Sequence, residues 1–402
     1  MPVTGPTRSG ERSPAIARTA FVATYPPRRC GIATFTHDLA ASTGNREIVA
    51  LHPPDQTGPY PIEVHHRIRS DEAADYRSAA RSVSDCVDIV SIQHEYGIWG
   101  GTDGEHVLDF VDALRVPAIA TLHTVLRAPT PGQRAILSEL VASVEATVVM
   151  SQSAASLLAT AYDVDPRRLE IIPHGVPDLP LVDPESIKPS LDLVGRRVIL
   201  SFGLLGPGKG YELAIDALPD VVAAHPEALY VIVGATHPDL VRREGEAYRN
   251  GLVARARAHG LGDHVRFVDR FVGRVELSRW LEAADVFVTP YPNLDQIVSG
   301  TLSYAMGAGR AIVSTPYAYA SELLADGRGL LVPPGSPAVL ARALVNVLED
   351  GELRAAMGRR AYEHSRRMVW SSVGTDYGRL IARVAGERRA AVRIAPMAAV
   401  GA

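Results

Sequence analysis

The chain has 402 residues, a formal net charge of -4, two cysteines and a hydrophobic fraction of 47%. This length favours two domains, and the composition is ordinary for a soluble globular protein. The near balance of 41 basic and 45 acidic residues argues against nucleic acid as a dominant partner. Cys30 and Cys86 form no metal-binding or disulfide pattern, so we expect no metal site and a reducing, cytoplasmic location.

Strand-like and helix-like segments alternate in both halves of the chain. In the first half, apolar and β-branched runs cover residues 19–24, 46–51, 87–93, 117–123, 146–151 and 169–175. In the second half, similar runs cover residues 196–203, 228–234, 264–269, 284–290, 310–315 and 328–334. Because continuously apolar strands are typical of parallel sheets covered on both faces, we predict an α/β fold with two doubly wound, Rossmann-like domains facing across a cleft.

The composition also predicts where the domains begin and end. A proline-rich segment, 177–190, separates the halves, and no apolar run reaches the roughly 18 residues of a membrane-spanning helix. The predicted parts are a disordered tail at 1–18, an N-terminal domain at 19–180, a C-terminal domain at 190–368, a helix at 369–386 and a disordered tail at 387–402.

Three turns join a predicted strand to a predicted helix and contain the small residues that suit a phosphate-binding loop. Glycine lets the backbone approach a ligand closely, and free amides at the start of a helix attract an anion. The residues in these turns are Gly31, Ile32, Gly203, Gly208, Lys209, Ser299, Gly300 and Thr301. Tight packing of strand on helix is the structural alternative for Gly31, and a solvated side chain is the alternative for Lys209.

The turn around Lys209 is close to a P-loop but departs from it at one position. Gly210 stands where a P-loop has the Ser or Thr that binds Mg²⁺. The chain also has no GxGxxG turn followed by a ribose-binding acid and no GxSxG nucleophile elbow. These observations argue against an NTPase, a dehydrogenase and a serine or cysteine hydrolase.

Polar side chains follow two buried strands at what we predict to be the same edge of the first sheet. Gln93, His94, Glu95 and Tyr96 follow one strand, and His123 ends the next. Buried polar groups without partners are costly, so such a cluster indicates a ligand site more often than a core. A metal site is the alternative for His94 and Glu95, although neighbouring residues point in different directions.

From residue 21 to residue 385 the chain resembles the retaining glycosyltransferases of family 4, which have the GT-B fold of two Rossmann-like domains. The similar segments are the Gly31-Ile32 loop, TLH (121–123), IIPHGV (171–176), SFGLLGPGKGYELAIDAL (201–218), AADVFVTPY (283–291), AMGAGRAIVST (305–315), GLLVPPG (329–335) and MVWSSVGTDYGRLI (368–381). The last segment is similar to the helix that crosses back onto the first domain of that family.

The resemblance implies that the C-terminal domain binds a sugar-nucleotide donor and the N-terminal domain binds the acceptor. Lys209 would bind the donor diphosphate, and the amides of Ser299, Gly300 and Thr301 would hold its distal phosphate. His123 would lie beside the sugar, and the histidine of IIPHGV, His174, would belong to the cleft. The implied reaction is a same-face substitution that needs no protein nucleophile, metal or other cofactor.

Three positions depart from the family pattern. Leu204 stands where relatives commonly have an arginine, and Gln296 and Tyr304 stand where they commonly have two glutamates. Glutamine can still exchange hydrogen bonds with sugar hydroxyls, whereas a tyrosine cannot accept two bonds from a ribose as a carboxylate does. Three functions therefore stay open: a hexosyltransferase of an atypical subgroup, a glycoside phosphorylase that uses inorganic phosphate, and a catalytically silent protein that binds a sugar or a nucleotide.

The charge of the predicted helix at 130–148 helps to predict whether the acceptor is a lipid or a soluble molecule. Relatives that glycosylate lipids commonly dock on membranes through a basic amphipathic helix in the first domain. This segment has one arginine and two glutamates, so it lacks the basic face that binds anionic lipid. We expect a soluble acceptor, such as a sugar or a small metabolite, and at most a peripheral association with membranes.

Overall fold

The first half of the protein is built on a parallel β-sheet. The computed structural model describes residues 17–45 and 47–394. The strands of this sheet are β1 (Thr19–Ala23), β2 (Glu47–His52), β3 (Val64–Arg69), β4 (Ile89–His94), β5 (Ala118–Leu122), β6 (Ala146–Val149) and β7 (Leu169–Ile171). They lie side by side in the order β3-β2-β1-β4-β5-β6-β7, and every pairing is parallel. The helices between them are α1 (Gly31–Thr43), α2 (Ala73–Ser84), α3 (His106–Asp112), α4 (Pro131–Ser143) and α5 (Gln152–Ala161).

The second half repeats this plan. Its strands are β8 (Arg197–Phe202), β9 (Ala228–Val233), β10 (Val265–Val268), β11 (Val286–Thr289), β12 (Ala311–Ser314) and β13 (Leu330–Leu331). The order is β10-β9-β8-β11-β12-β13, again parallel throughout. Its helices are α6 (Pro184–Ile187), α7 (Tyr211–Ala224), α8 (Pro238–Glu244), α9 (Ala247–Ala258), α10 (Arg274–Ala283), α11 (Gly300–Gly307), α12 (Ala318–Leu323), α13 (Pro337–Glu349), α14 (Gly351–Ser365) and α15 (Trp370–Ile394).

Both faces of the second sheet are covered by helices, which explains why its strands are mainly apolar on both faces. In β8, Val198 and Leu200 belong to one buried cluster, and Ile199 belongs to another on the opposite face. The predicted α/β fold with two doubly wound halves is therefore confirmed. Among the described residues, the one strand that we did not predict is β3, in which exposed residues alternate with half-buried or buried ones because it pairs only with β2 at the sheet edge.

The chain returns to the first half through α15. Val176 and Val369 form a short parallel bridge: the Val176 amide donates to the Met368 carbonyl over 2.8 Å, and the Trp370 amide donates to the Val176 carbonyl over 3.1 Å. Further along α15, Gly374 packs against α1 so closely that a Cβ there would lie 2.5 Å from the Ser42 carbonyl oxygen. The predicted crossing helix thus packs onto the first half.

The ends of the folded part differ from the predicted tails. Ala17 is buried, and the Arg18 amide donates to Asp88 Oδ2 over 2.9 Å, so folded structure begins before residue 19. Helix α15 continues to Ile394, past the predicted boundary at residue 386. The remaining tail residues, 1–16 and 395–402, lie outside the described residues. No helix in the described part of the chain is long and apolar enough to cross a membrane.

The two halves close on one another along the carboxyl ends of their strands. The loop between β11 and α11 leaves the second half, and its Ile297 and Val298 are buried in the core of the first half. Glu322 of α12 accepts hydrogen bonds from the amides of Gln152 and Ser153, both over 2.9 Å, at the start of α5. The edge at which ligands bind in open α/β sheets is therefore enclosed by both halves.

Candidate active site

His123 is fixed at the end of β5 by a chain of buried polar groups. Its Nε2 lies 3.0 Å from Gln93 Oε1, and Gln93 Nε2 lies 3.5 Å from Thr121 Oγ1. Thr121 Oγ1 in turn lies 3.1 Å from the hydroxyl of Tyr377 on α15. Because the Gln93 oxygen accepts, His123 donates from Nε2, and its Nδ1 is left as an acceptor when the ring is neutral.

The ring of His123 is neutral at physiological pH. The pKa of His123 is lowered to about 3, mainly by burial and to a smaller extent by the nearby His174 and His94. Neutral imidazole can accept a hydrogen bond from a hydroxyl, whereas imidazolium cannot. At this position the ring can therefore bind a hydroxylated ligand but brings no positive charge.

Phe35 of α1 joins His123 to the rest of the cleft. Its ring centroid lies 4.7 Å from that of His123, 5.1 Å from that of His174 and 5.2 Å from that of Trp370. His174 donates from Nδ1 to the Gly175 carbonyl over 2.8 Å, and burial lowers the pKa of His174 to about 4. The two histidines are thus held in one aromatic cluster.

The N-terminus of α11 meets this cluster at Gly300. A Cβ on residue 300 would lie 2.8 Å from His174 Nε2, so any residue larger than glycine would press on the ring. Ser299 caps the helix through Oγ, which accepts from the Leu302 amide over 3.3 Å. The first amides of a helix have no partner within it, so this end is suited to an anion.

Lys209 and Thr301 converge on one tyrosine ring. Lys209 Nζ lies 4.6 Å from the ring centroid of Tyr291, whose hydroxyl lies 2.9 Å from Thr301 Oγ1. Tyr291 is held in place by stacking on Tyr317 at 5.0 Å. A Cβ on Gly203 would lie 3.5 Å from Thr301 Cγ2, so the glycine-rich turn also adjoins the start of α11. The two predicted phosphate turns of the second half therefore form one surface.

Backbone conformation explains two glycines of the turn before α7. Gly203 has φ +134° and Gly208 has φ +92°, values that side chains rarely allow. At Gly31, the first residue of α1, an added Cβ would meet no atom of the described residues within 4 Å. The packing explanation for Gly31 thus has no support, and the space beside it is open. Ile32 follows it in the first turn of α1 and is half-buried.

Gln296 and Tyr304 have contacts that differ from those of the residues in the phosphate turns. Gln296 Nε2 donates to the Val298 carbonyl over 2.8 Å, so the amide braces its own loop. Tyr304 is buried in the core of the second half, with ring centroids of Phe202 at 6.1 Å and His174 at 6.0 Å. The structure does not bring Tyr304 to the open face of the phosphate turns, and its contact with a ribose stays a prediction.

The four polar residues at the end of β4 and just after it separate instead of forming one cluster. Gln93 contacts the His123 ring through its side chain, whereas His94 contacts His123 only through the backbone, its carbonyl accepting from the His123 amide over 2.9 Å. His94 is fully buried with its ring 5.0 Å from that of Tyr96, and neither of its nitrogens has a hydrogen-bond partner among the described residues. Glu95 accepts from Thr124 Oγ1, and burial raises the pKa of Glu95. No group of three metal-ligating side chains occurs among the described residues.

One ion pair across the cleft was missed from the sequence. Asp38 of α1 is 3% exposed, and its Oδ1 accepts from Arg274 at the start of α10 and lies 3.0 Å from His37 Nδ1. Within the described chain its Oδ2 has no hydrogen-bond partner. The only local signal is the position of Asp38 three residues after Phe35, on the buried face of α1.

Two family models match the chain. Residues 30–178 match the model described as Glycosyltransferase Family 4, and residues 183–364 match Glycosyl transferases group 1. The chain belongs to the family 4 type of glycosyltransferases. This confirms the resemblance and, with the two sheets described above, the GT-B architecture.

Two relatives in this family have named activities. The phosphatidyl-myo-inositol mannosyltransferase of Mycolicibacterium smegmatis is 31% identical over 54% of this chain and 52% of its own length. The D-inositol 3-phosphate glycosyltransferase of Corynebacterium efficiens is 27% identical over 67% of this chain and 66% of its own length. The chain thus spans about half to two thirds of the length of the curated relatives that it matches.

Solved structures share the whole fold. Anabaena HepE in complex with UDP and glucose superposes with a TM-score of 0.73 at 16% identity, covering 91% of this chain and 100% of HepE. Sucrose-phosphate synthase from Thermosynechococcus elongatus has a TM-score of 0.73 at 15% identity, covering 92% of this chain and 100% of that one. At such identities the similarity establishes the fold alone.

Proposed function

We propose that the protein is a retaining hexosyltransferase that moves a hexosyl group from a sugar nucleotide to a hydroxyl of a soluble acceptor. The observation that carries this proposal is the convergence of Lys209 and the α11 N-terminus on Tyr291, in a chain that belongs to a glycosyltransferase family. A cation and free helix amides on one surface are suited to a diphosphate. HepE, which has the same fold, was crystallised with UDP and glucose.

In this proposal the diphosphate lies between Lys209 and the amides of Ser299, Gly300 and Thr301. The sugar then extends toward His123, whose neutral ring accepts a hydrogen bond from a sugar hydroxyl through Nδ1. The amides of Gly31 and Ile32 approach the donor from the first half. Gly203 and Gly208 give the turn around Lys209 the conformation that a bulky residue would not allow.

The proposed reaction is substitution on one face of the sugar. The bond between the anomeric carbon and the leaving phosphate oxygen breaks, and a bond from that carbon to the acceptor oxygen forms. The proton of the acceptor hydroxyl moves to an oxygen of the departing phosphate. Charge that develops on the phosphate is stabilised by Lys209 and the helix amides. In this scheme no side chain acts as a nucleophile and no metal or other cofactor takes part.

The acceptor is proposed to bind the first half, near Gln93, Glu95 and Tyr96. By their names, relatives act on D-inositol 3-phosphate or phosphatidyl-myo-inositol, so a phosphorylated polyol is the first acceptor to test. A soluble acceptor is supported by α4, whose Arg134 lies over the Tyr162 ring at 4.9 Å and donates to the Ala161 carbonyl. That arginine is exposed but already has partners within the protein.

One observation favours a glycoside phosphorylase as the second candidate. Tyr304 and Gln296 replace the two carboxylates common in the family, and Tyr304 is buried in the core. The proposed phosphate surface then has no carboxylate at the two positions that would bind the sugar and the ribose. In a phosphorylase, inorganic phosphate would occupy the surface beside Lys209 and attack the glycosidic bond of an oligosaccharide.

Calorimetry with UDP-, GDP- and ADP-linked sugars separates the candidates. The transferase proposal predicts binding of at least one sugar nucleotide and transfer to a polyol or sugar, with the anomeric configuration kept as read by NMR. Binding of phosphate together with a sugar, but of no nucleotide, would replace the transferase by the phosphorylase. Binding without turnover across the acceptor panel would indicate a catalytically silent binding protein.

A further inference from the structure

Two arginines from opposite halves of the protein meet at one carboxylate beside the cleft. Arg28 lies in the loop between β1 and α1, and Arg242 lies on α8. Arg28 Nη1 donates to Asp55 Oδ1 over 3.4 Å, and Arg242 Nη1 donates to Asp55 Oδ2. Asp55 itself follows β2 in the first half. The contact therefore spans the cleft.

The contact of Asp55 with the two arginines lies next to the turn that carries Lys209. The His237 amide donates to the Leu205 carbonyl over 2.8 Å, which sets the start of α8 beside the glycine-rich turn. The pKa of His237 is lowered mainly by burial. The positive charges of Arg28, Arg242 and Lys209 also lower this pKa, and the negative charge of Asp239 raises it. Three cations thus lie close enough to act on one imidazole.

Arg28 is not fully satisfied by its partner in the structure. The Arg28 side chain is only 21% exposed, and its buried Nε has no hydrogen-bond partner among the described residues. The 3.4 Å bond of Arg28 to Asp55 is long for a charge-assisted bond. Asp55 is 38% exposed and can turn to solvent, and Arg242 also pairs with Asp239 on its own helix.

We propose that Arg28 and Arg242 form, with Lys209, a clamp that binds a phosphate group in the closed cleft. Asp55 lies between the two arginines, at the place proposed for the phosphate. A guanidinium presents planar donors that match phosphate oxygens, and gathered positive charges are stabilised by a bound anion. This inference rests on the proposed function: the phosphate belongs to the donor diphosphate or to a phosphorylated acceptor.

Calorimetry on the full-length protein tests the clamp with paired probes. UDP and GDP are compared with uridine and guanosine, and D-inositol 3-phosphate is compared with myo-inositol. The variants are Arg28→Ala and Arg242→Ala. Their controls are Arg29→Ala and Arg243→Ala, which remove exposed arginines next in sequence. Circular dichroism and thermal unfolding verify that each variant is folded.

The expected result is a selective loss of affinity for one phosphate-bearing probe. Arg28→Ala should weaken it about tenfold, and Arg242→Ala, which is half exposed, about threefold, with the unphosphorylated partner unchanged. Both controls should stay within about twofold of the wild type. A loss with UDP or GDP assigns the clamp to the donor, and a loss with D-inositol 3-phosphate assigns it to the acceptor.

Other outcomes separate this inference from the proposed function. If the wild type binds UDP or D-inositol 3-phosphate and both arginine variants bind equally well, the clamp is wrong and the transferase proposal stands. If no nucleotide binds but inorganic phosphate binds through the two arginines, the clamp stands and the transferase proposal fails. If the wild type binds none of these probes, both fail.

The variant Asp55→Asn distinguishes a phosphate clamp from ion pairs that only hold the two halves together. Because Asp55 competes with the phosphate, its neutral isostere should bind the selected probe about threefold more tightly than the wild type. If the ion pairs of Asp55 only hold the halves together, this variant should bind the probe more weakly than the wild type or equally well. That result would overturn the proposed role of Asp55 and of the two arginines.

Discussion

Replacing Gly300 with alanine tests whether the α11 N-terminus and His174 form one rigid site. The new Cβ would lie 2.8 Å from His174 Nε2, whereas ordinary contacts between such atoms begin at about 3.4 Å. The ring has little freedom to move, because Nδ1 donates to the Gly175 carbonyl over 2.8 Å and Phe35 packs at 5.1 Å. Either the helix start or the ring must shift by about 0.6 Å.

Such overpacking costs about 1–3 kcal/mol. A shift of the helix start displaces the amides proposed to hold the donor phosphate, so kcat/KM should fall by about 5- to 150-fold. The assay is steady-state transfer with the sugar nucleotide selected by calorimetry, together with thermal unfolding. Gly251→Ala in α9 is the matched control, since a Cβ there meets no described atom within 4 Å.

A double substitution identifies the cause of the defect. His174→Ala removes the ring that the new methyl group would press on, so Gly300→Ala should cost less in that background than in the wild type. Wild-type kcat/KM and wild-type unfolding temperature for Gly300→Ala would refute the reasoning. An equal cost of Gly300→Ala in both backgrounds would also refute it, because the defect would not arise from the ring.

Three further predictions concern single side chains. Lys209→Ala should weaken sugar-nucleotide binding about 10- to 100-fold in calorimetry, and Lys209→Arg should recover part of it; unchanged binding by Lys209→Ala would contradict the phosphate assignment. Burial lowers the pKa of His94 to about 4, so the unfolded state takes up more protons and stability falls as the pH drops below about 6.5. His94→Leu should therefore stabilise the protein more at pH 5 than at pH 8 in urea unfolding, and an equal effect at both pH values would disagree. Asp38→Asn should lower the free energy of unfolding by about 1–3 kcal/mol by removing the charge that binds Arg274, and an unchanged urea midpoint would argue against it.

The fold could be predicted because its inner strands are short apolar runs that can be recognised in the local sequence. Each inner strand is covered on both faces, so a run such as VILSF in β8 stands out from the amphipathic helices beside it. Strand β3 has the sequence VHHRIR and lies at the sheet edge, where alternate residues face solvent. Its charged positions hid it, because edge strands lack the continuous apolar pattern.

The site could be predicted where its signal is local. Gly203, Gly208 and Lys209 lie together in one turn, and the positive φ values of the glycines account for their presence. Asp38 and Arg274 lie 236 residues apart along the chain and meet only because the halves close on one another. No local pattern encodes that orientation. The same reason hid the contacts of Asp55 with arginines from both halves.

The orientation of single side chains was equally beyond the sequence. Gln296 is predicted to contact a sugar, and that stays a prediction; the sequence did not show that its Nε2 donates to the Val298 carbonyl within the same loop. Similarly, the polar run that ends β4 suggests one cluster. Alternate residues of a strand point to opposite faces, so the Gln93 side chain meets the His123 ring and the His94 side chain does not. Which of two neighbouring side chains enters the cleft depends on the packing around the strand.

The central claim is that Lys209 and the α11 N-terminus hold the diphosphate of a sugar nucleotide. The most direct test is calorimetry of the wild type and Lys209→Ala with UDP-, GDP- and ADP-linked sugars. We predict that one of them binds the wild type and that the lysine variant binds it at least about tenfold more weakly. Absence of binding to any sugar nucleotide, with binding of inorganic phosphate and a sugar, would contradict the claim.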